Sequence, residues 1–157
     1  MPPVCMVSGL TMNRRFWIGV VVVFVAYAAL GWFFHGYVLR PIYRSEPLQH
    51  LWRSPEAYLR LMPLFHFSNL IFAFFFMWVF VKGYEARGPL EGIRYGFYIW
   101  ALKGLHESLA GYVILPVPAG LLLNWLWMSL VVTLACGLLA ALIYRRDRPS
   151  GEPRGGG

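Results

Sequence analysis

The sequence predicts an all-helical membrane protein, a bundle of four transmembrane helices with both termini in the cytoplasm. Two observations predict the membrane class: 59% of the 157 residues are apolar and only 13% are charged, and the mean hydropathy is +0.56. Water-soluble domains are about half apolar and about a quarter charged. A third observation, four apolar stretches separated by short polar or proline-containing segments, predicts the number of spans.

Each apolar stretch is long enough to cross a bilayer, which takes about 20 helical residues. The predicted spans are residues 16–39, 59–82, 90–115 and 121–144. They lie in one transmembrane domain (14–146), which follows a flexible lead (1–13) and precedes a tail (147–157) whose Gly, Pro and charge content is typical of disorder.

The first stretch has a competing interpretation as a cleavable secretory signal, because residues 26–28 (Ala-Tyr-Ala) resemble a cleavage site. The apolar run continues with aromatic character to Leu39, and this length favours an uncleaved span. Met12, just before Arg14 and Arg15, is an alternative start of translation.

The second span has a well-marked beginning. Ser54 is a typical helix cap, Pro55 suits the first helical position, and Glu56 lies near the positive end of the helix dipole. Further along, Pro63 is expected to kink the helix, because proline removes a backbone donor and crowds the preceding turn.

The distribution of basic residues predicts the orientation. With four spans, nine bases share a side with the termini: Arg14, Arg15, Lys82, Arg87, Arg94, Arg145, Arg146, Arg148 and Arg154. Four lie on the other side: Arg40, Arg44, Arg53 and Arg60. Since cytoplasmic loops carry the excess of Lys and Arg, both termini are predicted to be cytoplasmic.

Several functional classes are excluded or disfavoured. The net charge of +7 lies at the ends of apolar runs and forms no basic stripe on a soluble element, so nucleic acid is not an expected partner. Cys5 and Cys136 are far apart, which excludes paired-thiol redox and metal motifs. Asp147 is the only aspartate, so an intramembrane aspartyl pair is excluded.

The third predicted span carries Lys103, His106 and Glu107 in its interior. Ionisable groups at that depth are costly and mark candidate functional sites. Lys103 and Glu107 are one turn apart, so they can pair, and we expect both to face the other helices.

Every span places a polar group in the outer half of the bilayer. At about 1.5 Å per helical residue, His35, His66, His106 and Asn124 lie about 6–14 Å from the outer end of their spans. The sequence therefore predicts an intramembrane polar cluster there. Asn69, in the second span, is expected to form an interhelical hydrogen bond.

Small residues predict how the third and fourth spans pack. Gly92 and Gly96 form a pair four residues apart, as do Gly104 and Ser108, and the fourth span offers a small face at Gly137 and Ala141. Small-xxx-small patterns let helix backbones approach closely in membranes.

An alternative hypothesis uses the histidines as ligands. His35, His66 and His106 with Glu107 could bind a divalent metal, and two imidazoles on facing helices could bind haem. Proton-coupled or small-ligand chemistry is a further alternative. No short motif such as H-E-x-x-H is present, so no cofactor is firmly implied.

Five segments carry a resemblance: F-H-G-Y-V-L (34–39), W-R-S-P-E (52–56), K-G-Y-E-A-R-G (82–88), E-G-I-R-Y-G-F-Y (91–98) and G-L-L-A-A-L-I-Y (137–144). They resemble small four-span bacterial inner-membrane proteins to which no activity is assigned. The resemblance implies a multi-pass protein of the bacterial inner membrane and transfers no catalytic residue.

The functional expectation is a structural or accessory membrane subunit, with no enzymatic activity favoured. The expected partners are the lipid bilayer and either a larger membrane complex or further copies of the chain.

Overall fold

The computed structural model describes residues 13–144, of which 85% are helical and none lies in a β-strand. The all-helical prediction is confirmed for this part of the chain. The α-helices of these residues are α1 (Arg14–Gly31), α2 (Arg40–Tyr43), α3 (Glu46–Gln49), α4 (Pro55–Lys82), α5 (Pro89–Ile99), α6 (His106–Ile114) and α7 (Ala119–Ile143). Two π-helical segments, Trp32–Val38 and Trp100–Leu105, extend α1 and join α5 to α6.

The predicted termini are mostly outside this description. The flexible lead lies outside it except for Asn13, whose side chain caps α1 by accepting the Phe16 N–H at 2.9 Å. The predicted tail, residues 147–157, lies outside it entirely. The loop predicted between the first two spans contains the two short helices α2 and α3.

Three helices are long and apolar enough to cross a membrane. They are Arg14–Val38, Pro55–Lys82 and Ala119–Ile143, with mean hydropathies of 2.2, 2.0 and 2.4. Their bounds differ from the predicted spans by a few residues at the ends. The predicted third span is helical from Pro89 to Ile114, but it carries four charged side chains and is not among the three.

The predicted start of the second membrane helix is confirmed. Ser54 caps α4 by accepting the Ala57 N–H at 3.3 Å, Pro55 is the first helical residue, and Glu56 lies in the first turn. Helix α4 continues through Pro63 without a break.

Helices α1 and α7 occupy the middle of the bundle. Helix α1 packs against both α4 and α7, and α7 packs on its other side against α5 and the segment that follows it. The close contact of Gly19 with the Met77 side chain sets the antiparallel register of α1 and α4. The main core therefore lies along α1 and α7, with α4 and the segment 89–114 as outer members.

Small residues permit the contact between α5 and α7. A Cβ atom on Gly92 would overlap the carbonyl oxygen of Gly137 and the side chain of Ala141, and one on Gly96 would overlap the Thr133 carbonyl. The structure thus places the two predicted small faces against each other, with backbone touching backbone.

We predict that Gly96→Ala lowers the stability of the detergent-solubilised protein by about 1–3 kcal/mol, because the added methyl group must push α5 away from α7. Gly31→Ala is the matched control, since no atom lies within 4 Å of the position of its Cβ. The control should be neutral or stabilising by up to about 1 kcal/mol. Thermal unfolding of both variants measures the difference, and equal effects would contradict this packing.

Buried Glu91 organises the loop between α4 and α5. It is only 6% exposed, and its two carboxylate oxygens accept the backbone N–H groups of Glu85 at 2.5 Å and Arg87 at 2.8 Å. Glu85 in turn forms exposed ion pairs with Arg87 at 2.9 Å and Arg94 at 3.1 Å. The loop is therefore wrapped around one carboxylate, and the surface ion pairs lie outside it.

We predict that Glu91→Ala destabilises the protein by about 3 kcal/mol or more, because it removes two charge-assisted hydrogen bonds and leaves their donors unpaired. Glu85→Ala should cost at most about 1 kcal/mol, as expected for exposed ion pairs. Hydrogen exchange of residues 83–88 should accelerate in the first variant and change little in the second. The reverse order would show that the ion pairs hold the loop.

Candidate functional site

The predicted polar residues are distributed over several places. Lys103 and Glu107 lie together, with side chains 38% and 59% exposed, so Glu107 does not face the other helices as expected. His35 lies in a separate network at one end of the bundle. His66 and His106 are exposed on different helices. Residues 13–144 contain no group of three or more His, Cys, Asp or Glu side chains placed to hold a metal ion. The single cluster predicted from the sequence is therefore divided.

Lys103 and Glu107 form an ion pair with 2.7 Å between the ammonium nitrogen and the carboxylate oxygen. The ammonium group also lies 5.4 Å from the centre of the Phe72 ring of α4. The Phe72 ring in turn packs on the Tyr27 ring of α1, with ring centres 4.5 Å apart. Lys103 thus contacts the second membrane helix from the segment 89–114, next to the place where that helix meets the first.

The π-helical segment Trp100–Leu105 positions Lys103. Its first residue is anchored on α7, because Trp100 Nε1 donates to the Leu126 carbonyl at 3.0 Å and to Ser129 Oγ at 3.1 Å. Gly104 packs directly against Ser129. Irregular turns of this kind are rare and are frequent at functional sites.

The π-helical segment also explains why the small residues before and after it lie on the same side of the segment 89–114, facing α7. Residues four apart drift by about 40° around a regular α-helix, so Gly104 and Ser108 would turn away from the face of Gly92 and Gly96. A π turn holds more residues and removes part of this drift. Gly104 and Ser108 are accordingly buried along the same contact.

Asn69 is buried, but the structure differs from the prediction that it forms an interhelical hydrogen bond. Asn69 is 5% exposed, and within the described residues its side-chain nitrogen has no hydrogen-bond partner. Its nitrogen therefore does not form the interhelical hydrogen bond expected from the sequence.

The three imidazoles have three different sets of neighbours. His35 stacks on the Tyr43 ring, His66 lies beside Phe24 and Phe65, and His106 lines a shallow surface groove on α6. The structure therefore does not bring these three imidazoles together as ligands of one metal.

A network that sequence analysis missed is centred on Tyr43. Its hydroxyl accepts a hydrogen bond from Trp125 Nε1 at 2.9 Å and lies 2.7 Å from His35 Nδ1, while its ring packs on Trp52. Since the hydroxyl proton is free to bond His35 Nδ1, the geometry favours the neutral imidazole with its proton on Nε2. The aromatic residues of the loop were the only sequence signal for this contact between α1, α2 and α7.

Asn124 is next to Trp125 in sequence, but its side chain bonds only within α7. Its amide nitrogen donates to the Gly120 carbonyl at 2.8 Å, and its oxygen accepts from Trp127 Nε1 at 3.1 Å. Both partners belong to α7, so Asn124 stabilises the beginning of that helix.

We predict that Tyr43→Phe lowers stability by about 1–3 kcal/mol at neutral pH, because Trp125 and His35 lose their common partner. Burial raises the pKa of Tyr43 from 10.0 to about 12, against the smaller opposing effect of the Trp125 hydrogen bond. Its stabilising contribution is therefore complete below pH 10 and is lost as the pH rises towards 12. The variant should lose less stability than the wild type over that interval.

Tyr112→Phe is the control for this prediction, because its side chain is 40% exposed. Chemical unfolding at several pH values measures both variants. Identical alkaline profiles for the wild type and Tyr43→Phe would contradict the proposed role of the hydroxyl.

No protein-family model matches the chain, and no curated protein or solved structure matches it either.

Three hydroxyl groups of the described residues bond within their own helices. Ser68, Ser129 and Thr133 donate to carbonyl oxygens three or four residues earlier, at 2.8–3.1 Å. Ser129 also accepts a hydrogen bond from Trp100 Nε1, so of these three it is the one that links two segments.

Proposed function

We propose that this chain is a four-span protein of the bacterial inner membrane, with both termini cytoplasmic, that acts as a structural or accessory subunit. The observation that carries the proposal is the Lys103–Glu107 pair, whose ammonium group also lies over the Phe72 ring of the second membrane helix. In a low-dielectric environment the carboxylate neutralises the ammonium charge, and the contact with Phe72 favours one position of the segment 89–114 against α4.

The packing of the segment 89–114 supports a fourth span. It follows α7 from one end to the other: Gly92 touches Ala141 near the end of α7, and Gly111 lies 3.3 Å from the Trp125 ring near its beginning, measured from the position a Cβ would take. A helix that accompanies a membrane-crossing helix over its whole length is expected to cross with it. Its charged residues then find partners inside the bundle.

The charges of the loops support the orientation. Lys82, Arg87 and Arg94 lie at the end of the bundle where α4 and α5 meet, which we assign to the cytoplasm. The resemblance of five segments to small inner-membrane proteins supports the location.

The engagement of the polar groups favours a role without catalysis. Lys103 and Glu107 are paired with each other, Glu91 holds a loop, and His35 is held by Tyr43. These groups are occupied in joining one part of the chain to another.

A double-mutant cycle tests this proposal. Glu107→Gln and Lys103→Met should each lower stability by about 1–3 kcal/mol, because each leaves the other group without its partner in the membrane. The expected loss is below that of fully buried pairs, since the side chains are 38% and 59% exposed. The double variant should recover at least half of the summed losses.

Thermal unfolding in detergent, with insertion checked separately, measures all three variants. Losses that simply add in the double variant would contradict the structural role of the pair. A Soret band or stoichiometric bound metal in the purified protein, lost in His106→Ala, would replace the proposal with a cofactor-binding function.

A further inference from the structure

The outer face of α6 carries an imidazole and one carboxylate oxygen that have no partner among the described residues. His106 is exposed, and within residues 13–144 its ring forms no hydrogen bond or ion pair. The Glu107 side chain is 59% exposed, and only one of its oxygens, Oε2, is engaged by Lys103. In the bilayer interior, lipid chains offer partners to neither group.

The surface around these groups is shaped to receive a helix. A shallow groove is lined by His106, Leu109, Ala110, Val113 and Ile114. Small Ala110 lies between larger neighbours, and Val113 and Ile114 are 83% and 76% exposed. Small residues flanked by larger apolar ones allow membrane helices to approach closely.

We propose that this face, defined by His106, Glu107, Ala110 and Val113, binds a second copy of the chain about a two-fold axis perpendicular to the membrane. The His106 ring of each copy then donates to the free Glu107 oxygen of the other. This inference rests on the proposed function, because membrane insertion in one orientation places the same residues of both copies at the same depth.

The α6 face is complementary to itself, which indicates that its partner is a second copy of the chain. A two-fold interface brings residue i of one copy to residue j of the other and also j to i, so it requires a donor and an acceptor side by side on one surface. His106 and Glu107 are adjacent in sequence and meet this requirement. Each copy then satisfies both groups of the other with two equivalent hydrogen bonds.

Disulfide cross-linking tests the face directly. In a chain carrying Cys5→Ser and Cys136→Ala, we expect Ala110→Cys to form a dimer in membranes on mild oxidation. Phe67→Cys is the control, because Phe67 is 59% exposed and belongs to α4, which is not part of the proposed interface. Cross-linking of Ala110→Cys that does not exceed that of Phe67→Cys would overturn the proposal.

Energy transfer between labelled copies in liposomes, diluted with lipid, tests the hydrogen bonds. His106→Leu should weaken dimerisation roughly ten-fold, because interhelical hydrogen bonds in membranes average about 0.6 kcal/mol and two are lost. His66→Leu removes another exposed imidazole and should leave dimerisation unchanged. Equal effects of the two variants would contradict the assignment of His106.

Extraction with alkaline carbonate separates this inference from the proposed function. A chain that resists extraction but stays monomeric at every dilution would refute only the dimer. A chain that carbonate releases from the membrane would refute the proposed function as well.

Discussion

The ion pair between Lys103 and Glu107 is the interaction on which the proposed role depends. If the segment 89–114 crosses the membrane, as we propose, its ammonium group requires a counter-charge, and the neighbouring turn supplies a carboxylate oxygen 2.7 Å from the nitrogen. The ammonium group also lies over the face of the Phe72 ring of α4. The charge that makes this segment the least apolar of the long helical segments therefore also ties it to the bundle.

Backbone packing brings the pair to its place. Gly92 and Gly96 let α5 lie directly on α7, and Trp100 fixes the π-helical turn to the same helix through two hydrogen bonds. That turn keeps Gly104 on the contact face while Lys103 projects towards α1 and α4. At the two ends of the bundle, buried Glu91 and the hydroxyl of Tyr43 hold the connecting segments by hydrogen bonds. Polar contacts thus fix positions that apolar packing in lipid would leave weakly defined.

Sequence alone accounts for the long helices and for contacts set by spacing within one helix, but not for α2, α3 or the two π-helical segments. The cap at Ser54 and the proximity of Lys103 to Glu107 follow from local rules. Contacts between helices depend on rotation and register, which one sequence does not determine; the divided histidines and the unpaired amide of Asn69 are the result. The roles of Glu91 and Tyr43 were missed because their partners are backbone groups of a loop and a distant indole.

The most direct test is solid-state NMR of the protein in lipid bilayers, with the Lys103 side-chain nitrogen and the Glu107 carboxyl carbon labelled. The account predicts a dipolar coupling between the two labelled atoms, because the nitrogen lies 2.7 Å from an oxygen of that carboxylate, and a cross-peak from the Lys103 nitrogen to the Phe72 ring when that ring is labelled as well. A lysine nitrogen without these couplings, in contact with acyl chains or bulk water, would contradict it.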